Sequence, residues 1–156
     1  MDCKGKKVLV TGGSQGYGKG IAAALKARGA QVWITGRRQD VLAQSAAEIG
    51  VQAVAGDVGK PADWDRIFAA CGDDIDVLIN NAGSGVHIAP LQEQSDDDIR
   101  RSIETNLLGV IYGCRRAAAL MTARKSGLII NITSVCAHYG WPGFATYTAA
   151  KAGVDM

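Results

Sequence analysis

Short apolar runs alternate with amphipathic stretches along this chain. Val8-Leu9-Val10-Thr11 has β-branched character and stops at the spaced glycines Gly12, Gly16 and Gly18, which predicts a strand, a tight turn and a helix start. Gly18 to Arg28 then carries Ile21, Ala22 and Leu25 at helical spacing, with Gly29 placed to end the helix. Gln31 to Thr35 reads as the second strand, closed by Gly36-Arg37-Arg38. Val41, Leu42, Ala46 and Ile49 mark the next helical stripe, and Gly50 stops it. Val51 to Ala55 is the third strand, and Pro61 suits the first turn of a helix whose apolar face includes Ile67, Phe68 and Cys71. Asp76 to Asn80 is the fourth strand, followed by Asn81-Ala82-Gly83 and a loop to Gln94. Ser95 with Asp96, Asp97 and Asp98 makes a capped helix start. That helix is expected to run to about Arg124, with a local irregularity near Asn106, Gly109 and Gly113. Leu128 to Thr133 is the fifth strand, Pro142-Gly143 a break, and the last helix carries Tyr147 and Lys151. Apolar strands alternating with helices predict an α/β fold: a doubly wound parallel sheet with helices on both faces.

Composition narrows the partners. The chain has 156 residues, enough for one domain over 1–156 with a core of its own, and no internal repeat. Apolar residues make up 47% and charged residues 21%; seventeen basic against fifteen acidic side chains give +2 with no basic block. Binding to nucleic acid by bulk electrostatics is therefore not expected. There is no leader pattern and no apolar run of membrane length, so a cytoplasmic protein without membrane attachment is expected. Cys3, Cys71, Cys114 and Cys136 lie far apart, and His87 and His138 stand at no ligand spacing. They read as thiols in a reducing compartment, with no metal site.

The glycine turn carries the first chemistry. Glycines there allow positive φ and close approach of a ligand to the backbone, and the helix N-terminus that follows suits a pyrophosphate. The second candidate is the pair Tyr147 and Lys151, four apart and so on one helix face. Tyrosine ordinarily ionises near pH 10, and a neighbouring ammonium favours the phenolate. Standing alone, such a pair reads better as a solvated helix face than as a catalytic pair. Ser134 directly follows the fifth strand, at the sheet edge where ligands of such folds bind. Asn106 lies inside a predicted helix, where asparagine is costly unless its side chain has a task.

Taken together these residues resemble the short-chain dehydrogenase/reductase family. Its Thr-Gly-x3-Gly-x-Gly stands as Thr11-Gly12 through Gly16 to Gly18, and its Asn-Asn-Ala-Gly as Asn80 to Gly83. Its catalytic Asn, Ser, Tyr and Lys fall on Asn106, Ser134, Tyr147 and Lys151. The resemblance implies a Rossmann-like fold and hydride transfer between a nicotinamide and a carbonyl or secondary alcohol. It implies that Tyr147 passes a proton to or from the substrate oxygen, and that Lys151 tunes the phenol and holds the nicotinamide ribose. Ser134 would hydrogen-bond the carbonyl oxygen, and Asn106 would position a water in a proton relay behind Lys151. Gly12, Ser14, Gln15, Gly16, Tyr17 and Gly18 would hold the pyrophosphate. Asp57 and Val58 would flank the adenine, and Asn81, Ala82 and Gly83 would lie along the adenosine side.

Some positions depart from that pattern or extend it. Tyr17 stands where an aliphatic residue is usual, with little consequence expected, since the backbone N–H serves the phosphate. NAD sites place a carboxylate at the end of the second strand. Here Gly36 and Arg37 stand there, which predicts NADP(H), with Arg38 either assisting or solvated. His138 and Trp141 border the substrate pocket or are packed for structural reasons, with equal weight. Relatives continue past the Tyr/Lys helix into further strands and a substrate-covering segment, so a truncated or fragmentary form is expected, with Leu128–Thr133 left as an edge. A homo-oligomer, dimer or tetramer, is expected through the helices starting near Ser95 and Ala145. The alternatives are a non-catalytic nucleotide-binding regulator, an inactive fragment, or a non-redox member such as an epimerase.

Overall fold

The computed structural model describes residues 3–85 and 87–156. Five parallel strands form one sheet in the order β3-β2-β1-β4-β5. They are β1 Lys7–Thr11, β2 Gln31–Gly36, β3 Gln52–Ala55, β4 Val77–Asn80 and β5 Leu128–Asn131. The helices are α1 Gly16–Ala27, α2 Gln39–Ile49, α3 Pro61–Cys71, α4 Asp96–Ile103, α5 Gly109–Arg124 and α6 Ala145–Asp155. Several bounds differ from expectation by a residue or two. Helix α1 begins at Gly16 rather than Gly18, and β5 ends at Asn131 rather than Thr133.

The period-two geometry of a strand sorts the apolar residues into two cores. Leu9, Trp33 and Leu78 face one side and meet Trp64, Ile67 and Phe68 of α3 and Ala117 and Met121 of α5. Val8, Val10, Val32, Ile34, Val77 and Ile79 face the other side and meet Ala22 of α1 and Leu42 and Ala46 of α2. The register supports this sorting, since Val8 lies opposite both Val32 and Val77, and Leu9 opposite Trp33 and Leu78. Each fully buried residue of this kind contributes about 1.5–3 kcal/mol by leaving water. Because both faces of β1 are covered, its run is apolar throughout.

The expected long helix from Ser95 runs without interruption to Arg124, with the expected irregularity inside it. Ser95 caps α4, its hydroxyl oxygen accepting from the Asp98 N–H at 3.1 Å. A π turn over Glu104–Leu108 then joins α4 to α5. The irregularity centres on Asn106, whose Nδ2 donates to the Ser102 carbonyl at 2.9 Å, so the side chain satisfies a helical acceptor at the distorted turn. Gly109 and Gly113 do not break the helix. A Cβ at Gly109 would lie 2.9 Å from Val58, and one at Gly113 would drive into the Trp64 ring and Asn80. These glycines let α5 pack tightly against the sheet.

The chain crosses from β3 to the far side of β1 to make β4, so the strand order reverses between β1 and β4. A crevice opens there at the carboxyl ends of the strands, the usual ligand position in such sheets. Among the described residues, no helix is long and apolar enough to cross a membrane.

Candidate active site

Thr11 joins the two strands that flank the crevice. It is buried at the end of β1, and its hydroxyl oxygen accepts from the backbone N–H groups of Asn81 at 3.0 Å and Ala82 at 2.9 Å. The Asn81 side chain returns the tie, its Nδ2 donating to the carbonyls of Thr11 at 2.9 Å and Gly12 at 3.3 Å. A Cβ on Gly12 would come 2.8 Å from the Ala82 backbone, and one on Gly18 would collide with the Gly12 carbonyl oxygen. The glycines therefore serve close approach of three backbone segments as well as the turn. Asn81 lines the crevice, yet both its amide hydrogens are spent on this scaffold. Helix α1 starts with no side-chain cap on its amides and no acidic residue in its first turn.

A cleft of about 630 Å³ opens above this junction. Gly12, Ser14, Gln15, Gly16, Tyr17 and Gly18 line it, as do Arg37, Arg38, Asp57 and Val58. Asn81, Ala82, Gly83, Ser134, Tyr147 and Lys151 complete the expected residues along its walls. Asn106 does not line it. Gly36, expected at the end of β2, lines it too, and so do Thr35, Ser84, Thr105 and Ile132, although no motif distinguished those four in the sequence. Ser14 is fixed through its carbonyl, which accepts from Ser45 Oγ of α2 at 2.7 Å. The Arg38 guanidinium donates to Gln15 Oε1. Arg37 is exposed and has no side-chain partner among the described residues. Asp57 turns one carboxylate oxygen onto the Gly59 N–H at 3.0 Å, and the Val58 carbonyl accepts from Trp64 Nε1 at 2.8 Å. Tyr17 projects from the turn with 88% of its surface exposed.

At the other end of the cleft, α6 presents Tyr147 and Lys151 on one face. Lys151 is buried, and its Nζ donates to the Ile132 carbonyl at 2.8 Å and stands 5.9 Å from the Tyr147 ring centroid. Burial pushes its ammonium below the ordinary lysine value. The Lys151 carbonyl accepts from Thr133 Oγ1 at 3.3 Å, so two bonds fix α6 to the end of β5. Ser134 Oγ accepts from the Cys136 N–H at 3.2 Å, which leaves its hydroxyl hydrogen for a further acceptor.

Asn106 sits behind the wall. It is fully buried, donates to the carbonyls of Ser84 and Ser102, both at 2.9 Å, and accepts from the Ser84 N–H at 2.9 Å. With both amide hydrogens committed, its side chain braces the Gly83–Ser84 segment. His138 and Trp141 are not in the cleft lining either. His138 Nε2 lies 3.4 Å from Asp155 Oδ2, and Trp141 is exposed. Cys71 is buried, which pushes its thiol up to about 12 and removes it as a nucleophile. Among the described residues, no three His, Cys, Asp or Glu side chains gather to hold a metal.

Residues 6–156 match the profile of the short chain dehydrogenase family. A 3beta-hydroxysteroid dehydrogenase of Eggerthella lenta is 40% identical over 165 residues, covering 99% of this chain and 63% of its own length. A solved short chain dehydrogenase/reductase family protein superposes with a TM-score of 0.92 at 38% identity, over 99% of this chain and 66% of that one. A closed serine dehydrogenase complexed with NADP+ gives a TM-score of 0.88 at 34% identity, over 94% of this chain and 61% of that one. The chain spans about 63% of the length of the curated relatives it matches. The family profile over residues 6–156 and these likenesses establish the kinship: the chain belongs to the short-chain dehydrogenase/reductase family.

Proposed function

We propose that this chain forms the cofactor and catalytic part of an NADP(H)-dependent oxidoreductase acting on a carbonyl or secondary alcohol. The observation that carries the reading is one cleft lined at one end by the Gly12–Gly18 turn and at the other by Ser134, Tyr147 and Lys151. The residues fit a dinucleotide. The crowded Gly12 and Gly18 keep side chains out of the turn, the uncapped α1 amides suit a pyrophosphate, and the unpaired Arg37 suits a 2′-phosphate. Bound there, the nicotinamide supplies or accepts the hydride of the redox step. Tyr147 passes the proton to the substrate oxygen in reduction and takes it back in oxidation. Ser134 donates its free hydroxyl hydrogen to the same oxygen as negative charge grows there. Lys151 keeps two ammonium hydrogens beyond its bond to Ile132, available to the ribose and the phenol side. Asn106 acts as a brace for Gly83 and Ser84. A serine dehydrogenase of this fold was captured with NADP+, which supports the choice of cofactor. Self-association through α4, α5 and α6 belongs to the same proposal, with Ile111 of α5 exposed on that surface.

The test is NADPH consumption with cyclohexanone, a 3-ketosteroid and a β-keto ester, comparing the protein with Tyr147→Phe. The substitution is expected to lower turnover about 10²–10⁴-fold while leaving NADPH affinity nearly unchanged. Equal turnover by Tyr147→Phe would refute the assignment. NADPH binding with no consumption across the panel would favour a nucleotide-binding regulator.

A further inference from the structure

One buried polar side chain links the loop before α4 to the start of α6. Gln94 is 9% exposed and directly precedes the Ser95 cap of α4. Its Nε2 donates to the carbonyls of Ala89 at 2.8 Å and Gly143 at 3.4 Å, and its Oε1 accepts from Thr146 Oγ1 at 3.0 Å. The Gly143 carbonyl also accepts from the Ala89 N–H at 3.2 Å. The loop before α4 and the stretch from Gly143 to Thr146, remote from each other in sequence, thus converge on one amide. The turn they share is a tight one, with the Phe144 N–H donating to the Trp141 carbonyl at 3.1 Å and Gly143 at φ 82°. The Phe144 ring meets the Tyr147 ring edge-on at 6.1 Å, and Thr146 is the residue before Tyr147.

Packing alone does not explain a glutamine here. The position before a helix cap is commonly apolar, where it staples onto the first turn of its helix. A buried amide is tolerated only when its donors and acceptor are matched, and here both N–H groups and the oxygen have partners. All of those partners lie in the loop before α4, the 141–144 turn and α6. Helix α4, which Gln94 leads into, runs on to the π turn that carries Asn106. Asn106 in turn braces Ser84, while a Cβ on Gly83 would lie 3.3 Å from Lys151 Nζ. The α4 unit therefore grips the cleft wall from behind at Asn106 and the α6 start at Gln94.

We infer that Gln94 is a positioning residue, which through Thr146 and the 141–144 turn sets where the Tyr147 phenol stands over the substrate side of the cleft. The inference rests on the reading of Tyr147 as the group that passes the proton. Its role is mechanical, and it leaves the nucleotide end of the cleft untouched.

The test follows Tyr147 itself in the protein alone, with tyrosines carrying ¹³C at Cζ and the Tyr147 signal identified by its loss in Tyr147→Phe. Gln94→Leu keeps bulk and removes the amide; Thr146→Val removes one bond; Thr146→Ser restores it. The first two are expected to move or broaden the Tyr147 signal and to speed amide exchange over residues 144–148 by about tenfold, with exchange in β1 and β4 unchanged. Thr146→Ser should look native. A native Tyr147 signal and native exchange in Gln94→Leu would overturn the inference, as would a Thr146→Ser that behaves like Thr146→Val. Should Gln94→Leu fail to fold, the Thr146 pair decides. Because no substrate is present, this outcome is separate from the turnover test. A native signal in Gln94→Leu beside a dead Tyr147→Phe removes Gln94 alone, whereas full turnover by Tyr147→Phe removes the function first.

Discussion

Gly83 has no room for a side chain. A Cβ there would lie 2.8 Å from Asn106 Oδ1 and 3.3 Å from Lys151 Nζ, both buried groups with committed hydrogen bonds. Gly83→Ala is therefore expected to cost about 1–3 kcal/mol of stability as an overpacked site. It should also lower turnover about 10²-fold if Lys151 shifts by an ångström. Denaturant unfolding and NADPH consumption check the two parts, and a variant native in both would contradict the packing described. At this scale the sequence was informative about residue types and silent about contacts. Gly83, Tyr147 and Lys151 stand in recognisable spacings. That Asn81 spends its amide on Thr11 and Gly12 depends on strands far apart in the chain, and no local pattern encodes it. Thr11 stood in the glycine-turn motif, but its bonds to Asn81 and Ala82 were not legible there.

At the scale of elements, the strands were legible because both faces of the central ones are covered, which leaves continuous apolar runs. The π turn after α4 was legible as an irregularity in a continuous helix. Its form, a π turn around Asn106, follows from the side-chain bond to Ser102, which competes with the helical ladder. Gly109 and Gly113 looked like weak helix positions, whereas their reason is contact with Val58 and Trp64. Asp76 offers a test at the amino end of the sheet. Burial raises its carboxyl, yet the Lys7 N–H at 2.9 Å and the Lys6 ammonium at 3.1 Å outweigh that and hold it below its ordinary value of 3.8. The folded state then binds fewer protons than the unfolded chain, so Asp76 contributes stability above pH 3.8 that is lost as pH falls through the folded value. Asp76→Asn should lower stability at neutral pH and flatten the acid side of the stability curve below pH 3.8. Unfolding midpoints measured from pH 6 to pH 2 give the answer, and parallel curves for the two proteins would contradict it.

For the whole molecule, the reversal of strand order between β1 and β4 decides where the cleft opens; the sequence implied a doubly wound sheet with a site at its first turn, and the strand order came from the structure. The topology brings a second wall from α6, anchored to β5 by Lys151 at both ends of that residue. On the proposed reading the cleft between the walls takes a dinucleotide, and the end of β2 offers Gly36 and an Arg37 with no side-chain partner among the described residues, where an NAD site would hold a carboxylate. A guanidinium bonded to a 2′-phosphate contributes roughly 1.5–3 kcal/mol per charge-assisted hydrogen bond, or about tenfold or more in affinity. The most direct measurement is a calorimetric titration of the protein with NADPH and with NADH, repeated on Arg37→Glu. One site per chain is expected, with NADPH tighter by about tenfold or more and the preference erased by the substitution. Failure of both nucleotides to bind, or NADH binding as tightly as NADPH to the unsubstituted protein, would contradict the account.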